Sequence, residues 1–331
     1  MMFKNILFFF FLPIYLLANR IEIVPDWPIS EQDEVVSKLK NALAESGRTV
    51  VLSSLAPYIP FLQKDDKRAF TLPKEVSRVV FWNVGQKFKK LNLSRMPKEK
   101  LILFMWEPPT VQKHLYTKKV QEQFAKVYTW DDDLVDNVRV FKFFYPVLHP
   151  MIDNRPAFEE KKLCTLINSN RHSKHPQELY SARKQVIDFF EEKKSGDFEF
   201  YGWGWEKEKF STYRGSPQDK IDAMKSYRFC ICYENIEGKK GYITEKIFDA
   251  FSAGCVPVYW GASNVEQYIP SNCYIDRRKF KDHEELYAYL KNMKKAEYEQ
   301  YIVNISTWLS SKQAALFSQE NFVKIFAEAV R

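Results

Sequence analysis

The sequence lacks several features that would point to common functions. It contains no internal repeat, no low-complexity tract, and no zinc-finger or RNA-recognition spacing, so we expect no nucleic-acid partner. Its five cysteines are an odd number at irregular spacings, and its few histidines show no paired metal-ligand spacing. Cysteine usage therefore indicates ordinary core residues and does not establish an oxidising compartment.

The chain also lacks an N-terminal apolar run long enough for an ordinary membrane-spanning helix. Residues 6–18 form an uncharged run of thirteen residues that follows Lys4. This length suits the core of a signal peptide or a short signal anchor. Leu16-Leu17-Ala18 is a poor cleavage site, which favours an anchor; a buried first strand or helix is the alternative. We assign residues 1–19 to a signal peptide or signal anchor.

What the sequence does contain is the composition of a folded protein with excess positive charge. Of 331 residues, 45% are hydrophobic and 28% are charged, which is typical of globular proteins, and the length suits two domains. The formal net charge of +8 favours anionic partners such as phosphorylated small molecules.

Short β-rich runs alternate with longer helical patterns, which predicts parallel α/β units. A proline-containing stretch with little periodicity divides two such sets. We therefore predict an α/β fold with two Rossmann-like domains that face a central cleft. The assigned ranges are a first domain at 20–145, a linker at 146–160, a second domain at 161–310 and a C-terminal helix at 311–331.

Residues 227–261 read as a strand, a glycine-containing loop, a helix and a second strand. Ligands of open α/β sheets bind beyond the carboxyl ends of the strands, which places residues 235–246 at the cleft. The first amides of a helix that starts near Thr244, together with the charge of Lys246, would accommodate a diphosphate. Glu245 could accept hydrogen bonds from two ribose hydroxyls. In isolation, Thr244-Glu245-Lys246 would more readily be interpreted as an exposed first helical turn.

The surrounding pattern resembles the donor-binding signature of the α-1,3/1,4-fucosyltransferases, glycosyltransferase family 10. The matching elements are Tyr233-Glu234-Asn235, Tyr242-Ile243-Thr244-Glu245-Lys246 and Gly254-Cys255-Val256-Pro257-Val258-Tyr259-Trp260-Gly261. Tyr233 and Ile243 replace the Phe and Val of the family pattern. The resemblance implies a GT-B type glycosyltransferase that uses GDP-fucose, with donor contacts from Asn235, Tyr242, Glu245 and Lys246.

The resemblance also implies a phosphate-binding arginine about fifty residues upstream of this signature. Arg183 fits that position because it precedes an apolar helix face. Arg171, in the preceding loop, is the competing candidate.

A general base is expected at the rim of the facing domain, where it can take the proton of an acceptor hydroxyl. Leu101–Trp106 reads as a buried strand that ends in Glu107-Pro108-Pro109. Family members carry a catalytic glutamate in a comparable strand-end setting, so the resemblance implies that Glu107 is the base. The family pattern places proline three residues after the glutamate, whereas Pro109 is two residues after it here, and Trp130 replaces a phenylalanine. A solvated turn glutamate is the alternative.

Asp131-Asp132-Asp133 permits a rival interpretation. Single-domain transferases use Asp-x-Asp to hold Mn²⁺ across a diphosphate, and oxygen ligands suit that cation. The triplet lies outside the donor signature, and a loop or capped helix start also explains it. We expect no metal site and no required cofactor, with a divalent metal at most stimulatory.

The sequence thus predicts an inverting transfer of L-fucose from GDP-fucose to a hydroxyl of a glycan, α-1,3 to N-acetylglucosamine or glucose. The alternatives are a two-domain transferase for another nucleotide sugar and a non-catalytic glycan- or nucleotide-binding remnant. We expect attachment to a membrane through the N-terminal segment, of the Golgi type in a eukaryote or on the cytoplasmic face in a bacterium. The absence of a long stem favours the bacterial type.

Overall fold

A computed structural model describes residues 19–85, 88 and 90–331, and it contains two fully parallel sheets. The predicted signal segment therefore falls outside the described residues, apart from Asn19. Among the described residues, no helix is both long enough and apolar enough to cross a membrane. Membrane attachment stays a prediction from the sequence.

The first sheet has six strands in the order β2-β1-β3-β4-β5-β6. These strands are β1 (Arg20–Pro25), β2 (Thr49–Leu52), β3 (Val76–Trp82), β4 (Leu101–Met105), β5 (Lys126–Thr129) and β6 (Val140–Lys142). The second sheet has five strands in the order β11-β10-β9-β7-β8. They are β7 (Lys162–Ile167), β8 (Phe198–Tyr201), β9 (Tyr227–Tyr233), β10 (Val256–Trp260) and β11 (Ile275–Asp276).

Helices cover the sheets, as parallel strands require for burial on both faces. In the described residues they are α1 (Glu34–Ala44), α2 (Pro109–Gln112), α3 (Lys118–Gln121), α4 (Tyr180–Lys193), α5 (Lys220–Met224), α6 (Glu245–Ser252), α7 (His283–Asn292), α8 (Lys295–Leu309) and α9 (Gln319–Ala329). The predicted α/β fold with two parallel-sheet domains is confirmed.

Local side-chain chemistry explains where the observed elements differ from the predicted ones. The apolar spacing of residues 31–45 predicts a helix from Glu31. In the structure the helix begins at Glu34, because the Asp33 carboxylate accepts the amide of Val35 and caps the helix. Residues 138–144 read as a strand in the sequence, but in the structure the strand begins at Val140. There the Asp136 carboxylate accepts the amides of residues 138–140 and holds a turn.

The C-terminal helix α9 packs on the first domain, although it follows the second domain in sequence. Phe322 and Phe326 are buried against the first sheet, and Phe322 lies 5.3 Å from Trp106, measured between ring centroids. Arg48 Nη1 donates a hydrogen bond to the carbonyl of Val330 at 3.0 Å. The chain therefore crosses between the two lobes twice, which ties them together around the cleft.

All five cysteines are buried and free, as expected for core residues. Cys230 and Cys232 lie on β9, in the core of the second domain.

Candidate active site

Two cavities meet at the start of helix α6. The first, which we call the second-domain cavity, has a volume of about 350 Å³ and is lined only by residues of the second domain. The second, the interdomain cavity, has a volume of about 300 Å³ and is lined from both domains. Asn235, Glu245 and Lys246 line both cavities. A ligand that extends from one cavity to the other must therefore pass these three side chains.

Lys246 is held at this junction by a fully buried carboxylate. Its Nζ lies 3.1 Å from Glu234 Oε2 and 2.8 Å from Thr244 Oγ1. Burial alone would lower the pKa of Lys246, but the charges of Glu234 and Glu245 outweigh it, so the pKa is raised. Lys246 therefore carries a positive charge in a fixed position, with part of its side chain still open to the cavities.

The amino end of helix α6 is left without a side-chain cap. Thr244 occupies the capping position, but its hydroxyl donates instead to Glu234 at 2.7 Å. The unpaired amides of a first helical turn carry partial positive charge. Together with Lys246 they form a site suited to an anion.

Glu245 is the first residue of α6 and its side chain is 41% exposed. Burial favours a higher pKa, but the neighbouring Lys246 and Lys220 dominate and lower the pKa of Glu245 to about 2. The carboxylate is therefore ionised at neutral pH and can act only as a hydrogen-bond acceptor, as contacts to ribose hydroxyls require.

Arg183, Asn235 and Tyr242 form one hydrogen-bonded chain. Arg183, on α4, donates from Nε and Nη2 to the carbonyl of Tyr233 at 3.0 and 2.7 Å, and Nη2 also reaches Asn235 Oδ1 at 2.9 Å. Asn235 Nδ2 in turn donates to the Tyr242 hydroxyl at 3.2 Å. These bonds fix all three side chains before any ligand binds.

Tyr242 is almost fully buried, which leaves little of its surface for contact with a donor substrate. Its side chain is 2% exposed, and its ring centroid lies 4.5 Å from that of Trp130 and 6.2 Å from that of Tyr145. The interdomain cavity reaches only the small remaining surface. Direct donor contact by Tyr242 stays a prediction, and its clearest observed role is to orient Asn235.

Both arginine candidates line the second-domain cavity. Arg183 is buried, and burial lowers its pKa, whereas Arg171 is exposed. Within the described residues, Arg171 forms no side-chain hydrogen bond or ion pair, so its guanidinium is available to a ligand. The two arginines can therefore act together, Arg183 as a buried, hydrogen-bonded charge and Arg171 as an exposed one.

Glu107 lies directly beyond the carboxyl end of β4 and faces the helix α6 residues across the interdomain cavity. Asn83 Oδ1 accepts the amides of Trp106 and Glu107 at 2.7 and 3.2 Å, which fixes the backbone there. Burial raises the pKa of Glu107, with Lys246 and then Arg171 opposing the rise. A carboxylate with a raised pKa is a stronger base than an exposed one.

Aromatic rings form the wall of the interdomain cavity beside Glu107. Trp27, Trp106 and Tyr145 line it, and the Trp27 and Trp106 rings meet edge to face with centroids 5.8 Å apart. Such faces suit the C–H surface of a sugar ring, in addition to packing against each other.

The three aspartates at 131–133 bind the second domain through protein donors. Asp132 accepts from Tyr268 and from Asn264, both at 2.8 Å, and pairs with Lys142 of its own domain. Asp131 and Asp133 face Lys239 and Lys240 at 3.7 and 2.8 Å respectively.

The loop that carries these lysines approaches the first domain closely at Gly241. Gly241 has φ of +77°, and a Cβ there would lie 2.4 Å from the carbonyl of Trp130. The carboxylates therefore anchor the loop that leads into α6. No group of three or more metal-ligating side chains was found among residues 19–85, 88 and 90–331.

The sequence pattern does not identify several residues that line the second-domain cavity. They are Asn168 and Ser169 after β7, Trp203 after β8, Lys220 on α5 and Asp249 on α6. Asn168 and Ser169 follow the carboxyl end of β7, where ligands of open α/β sheets bind, so the sequence could have identified them. Glu234 belongs to the matching motif, but the sequence indicates no role for it. In the structure it is buried beneath Lys246 and holds that side chain in place.

A family profile and several curated proteins match the sequence of this chain. The family profile described as Glycosyltransferase family 10 (fucosyltransferase) C-term matches residues 157–325. An alpha-(1,4)-fucosyltransferase of Arabidopsis thaliana is 44% identical over 71 residues, which are 22% of this chain and 18% of that protein. The alpha-(1,3)-fucosyltransferase FucT of Helicobacter pylori is 31% identical over 113 residues, 33% of this chain and 23% of that protein.

A longer alignment is found with 4-galactosyl-N-acetylglucosaminide 3-alpha-L-fucosyltransferase 9 of Mus musculus. It is 30% identical over 206 residues, which are 61% of this chain and 51% of that protein. The chain thus spans about half or less of the length of these curated relatives.

Solved structures resemble the whole described fold. An alpha1,3-fucosyltransferase with GDP-fucose aligns with a TM-score of 0.55 at 15% identity, covering 95% of this chain and 91% of that one. T4 phage BGT in complex with UDP-glucose aligns with a TM-score of 0.53 at 14% identity, covering 94% and 99%. At these identities the likeness shows the two-domain GT-B fold. From the family profile together with this fold, the chain belongs to glycosyltransferase family 10, the fucosyltransferase family.

Proposed function

We propose that this protein transfers L-fucose from GDP-fucose to a hydroxyl of a glycan, with inversion at the anomeric carbon. The observation that carries the proposal is the junction of the two cavities at Asn235, Glu245 and Lys246, with Glu107 on the far side of the interdomain cavity. A nucleotide in the second-domain cavity would have its diphosphate at the junction. The attached sugar would then project toward Glu107.

The departing nucleotide is stabilised by fixed positive charge. As the bond between the anomeric carbon and the phosphate oxygen breaks, the electron pair and the negative charge move onto GDP. Lys246 and the first amides of α6 meet that charge, and Arg183 and Arg171 add to it from the cavity wall. Donors that are already held in place act without reorganisation when the charge develops.

Glu107 accepts the proton of the acceptor hydroxyl on the opposite side of the sugar. The acceptor oxygen forms the new bond to the anomeric carbon while the phosphate leaves from the other face, so one displacement inverts the configuration. The aromatic wall formed by Trp27 and Trp106 holds the acceptor sugar through its apolar face. The acceptor that we propose is the 3-hydroxyl of N-acetylglucosamine or glucose.

The test is a donor and acceptor screen with the purified protein. We expect GDP release that requires both GDP-fucose and an N-acetylglucosamine- or glucose-containing oligosaccharide, with an α-linked product by NMR. Turnover with UDP-glucose in place of GDP-fucose would assign the site to another nucleotide sugar. Binding of GDP-fucose without turnover on any acceptor would identify a non-catalytic protein.

The raised pKa of Glu107 predicts a specific pH profile. The base must be ionised, so kcat/KM should fall as the pH decreases through a pKa that lies above the usual glutamate value of about 4.3. Arg171→Ala removes a charge that opposes the rise, so its acidic limb should lie at higher pH than in the wild type. If the two proteins have identical acidic limbs, the acidic limb does not report the ionisation of Glu107.

Removal of divalent metal should leave most of the activity. We propose that Lys246, Arg183 and the α6 amides neutralise the diphosphate, and the carboxylates at 131–133 already have protein partners. Steady-state rates should therefore agree within about threefold with and without EDTA, because no metal-borne charge stabilisation is lost. Loss of activity in EDTA with recovery in Mn²⁺ would favour the rival metal interpretation.

A further inference from the structure

Among the described residues, Trp203 is the one large aromatic side chain that is strongly exposed, with 74% of its surface open to solvent. It lines the second-domain cavity. An indole exposed to this degree buries little apolar area in the fold, so its packing does not explain its position.

The backbone that carries Trp203 is rigidly held. Gly202 has φ of +141°, and a Cβ there would lie 1.7 Å from the carbonyl oxygen of Asn168. The amide of Gly202 donates to Gly215 at 2.9 Å, and the amide of Asn170 donates to the carbonyl of Trp203 at 2.9 Å. The exposed indole is therefore presented by a loop fixed on both sides.

These contacts also place Trp203 within the cavity. The hydroxyl of Ser216 donates to the Gly202 carbonyl at 3.1 Å, so the indole stands beside the segment that leads into α5. Lys220, the first residue of α5, pairs at 3.6 Å with Asp249, which lies one helical turn beyond Glu245 on α6. Trp203 thus lies at the α5 end of the second-domain cavity, and it does not line the interdomain cavity.

We propose that Trp203 stacks on the nucleobase of the donor and thereby fixes the nucleotide in the second-domain cavity. The inference rests on the proposed function, which puts the diphosphate at Lys246 and the ribose at Glu245. The base then extends toward the α5 end, where the indole face is the exposed aromatic surface. Aromatic stacking binds a base through its π-face, and an indole already exposed in the free protein needs no rearrangement to do so.

The experiment compares GDP binding by the wild type, Trp203→Ala and Trp203→Phe, using calorimetry. Alanine removes the stacking surface and should weaken GDP binding about tenfold or more, whereas phenylalanine keeps a ring and should stay within about threefold of the wild type. Val303→Ala, which trims a side chain that is 57% exposed and outside both cavities, is the matched control and should bind as the wild type does. GDP should also quench a component of the tryptophan emission that is missing in Trp203→Phe.

Unchanged GDP affinity in Trp203→Ala would overturn the proposal. Equal weakening in the alanine and phenylalanine variants would also overturn it, since that pattern indicates a role in loop structure rather than stacking, and a lowered Tm in both would identify that role directly. If the wild type binds UDP in preference to GDP, the donor assignment fails, and the same series with UDP then decides the role of Trp203. A wild type that binds neither nucleotide would overturn both proposals.

Discussion

Replacing Lys246 with alanine is expected to lower fucosyl transfer by about 10²- to 10³-fold, the range seen when one fixed donor to a developing charge is removed. The Lys246 ammonium lies at the junction of the two cavities, held by Glu234 and Thr244. In the proposed mechanism it meets the charge that develops as GDP departs, so kcat should fall with kcat/KM. The measurement is steady-state GDP release at saturating acceptor.

The control for this variant must separate catalysis from folding. Lys246→Ala leaves the buried carboxylate of Glu234 without its cation, which can destabilise a protein by about 3–5 kcal/mol. The double variant Lys246→Met with Glu234→Gln removes both charges, so it should keep more of its Tm and still lose transfer. Lys295→Ala, at an exposed ion pair with Glu159, should behave as the wild type. Recovery of activity in the double variant would contradict the role assigned to Lys246.

Glu107→Gln is expected to lower transfer by about 10²- to 10⁴-fold, the contribution typical of a positioned general base. The amide keeps the size of the side chain and its place beyond β4, but it cannot accept a proton. Because Glu107 lines the interdomain cavity and does not line the second-domain cavity, GDP affinity should be unchanged. Rates by GDP release and affinity by calorimetry on the same preparation give the two quantities.

Glu122→Gln is the matched control for this substitution, because Glu122 is exposed and lies at the end of the short helix α3 of the same domain. It should retain wild-type transfer. Near-wild-type turnover in Glu107→Gln would remove this residue from the mechanism. A parallel loss of GDP affinity would show instead that Glu107 supports the nucleotide site.

The sequence was sufficient to place candidate site residues whose positions depend on local order along the chain. Glu107 follows a buried strand and precedes two prolines, and Lys246 lies in the first turn of a helix that follows a strand and a glycine loop. Both positions are consequences of parallel α/β topology, in which strand ends share one edge of a sheet. The residue patterns at 126–129, 198–201 and 256–260 each predict a strand, and the structure has strands with these bounds.

The sequence was insufficient where function depends on contacts between distant segments. The partners of Asp132 at Asn264 and Tyr268 are more than 130 residues away, so the triplet alone could not be distinguished from a metal site. The enclosure of Tyr242 depends on Trp130 of the other domain. The exposure of Trp203 is likewise a property of the folded surface, because tryptophan in a sequence is more often read as core.

The most direct test of the account is a crystal structure of the protein with GDP bound. We expect the β-phosphate within hydrogen-bonding distance of Lys246 and the first amides of α6, with the ribose hydroxyls on Glu245. A diphosphate bound at the aspartates of residues 131–133, or a nucleotide that leaves Lys246 paired only with Glu234 and Thr244, would contradict it.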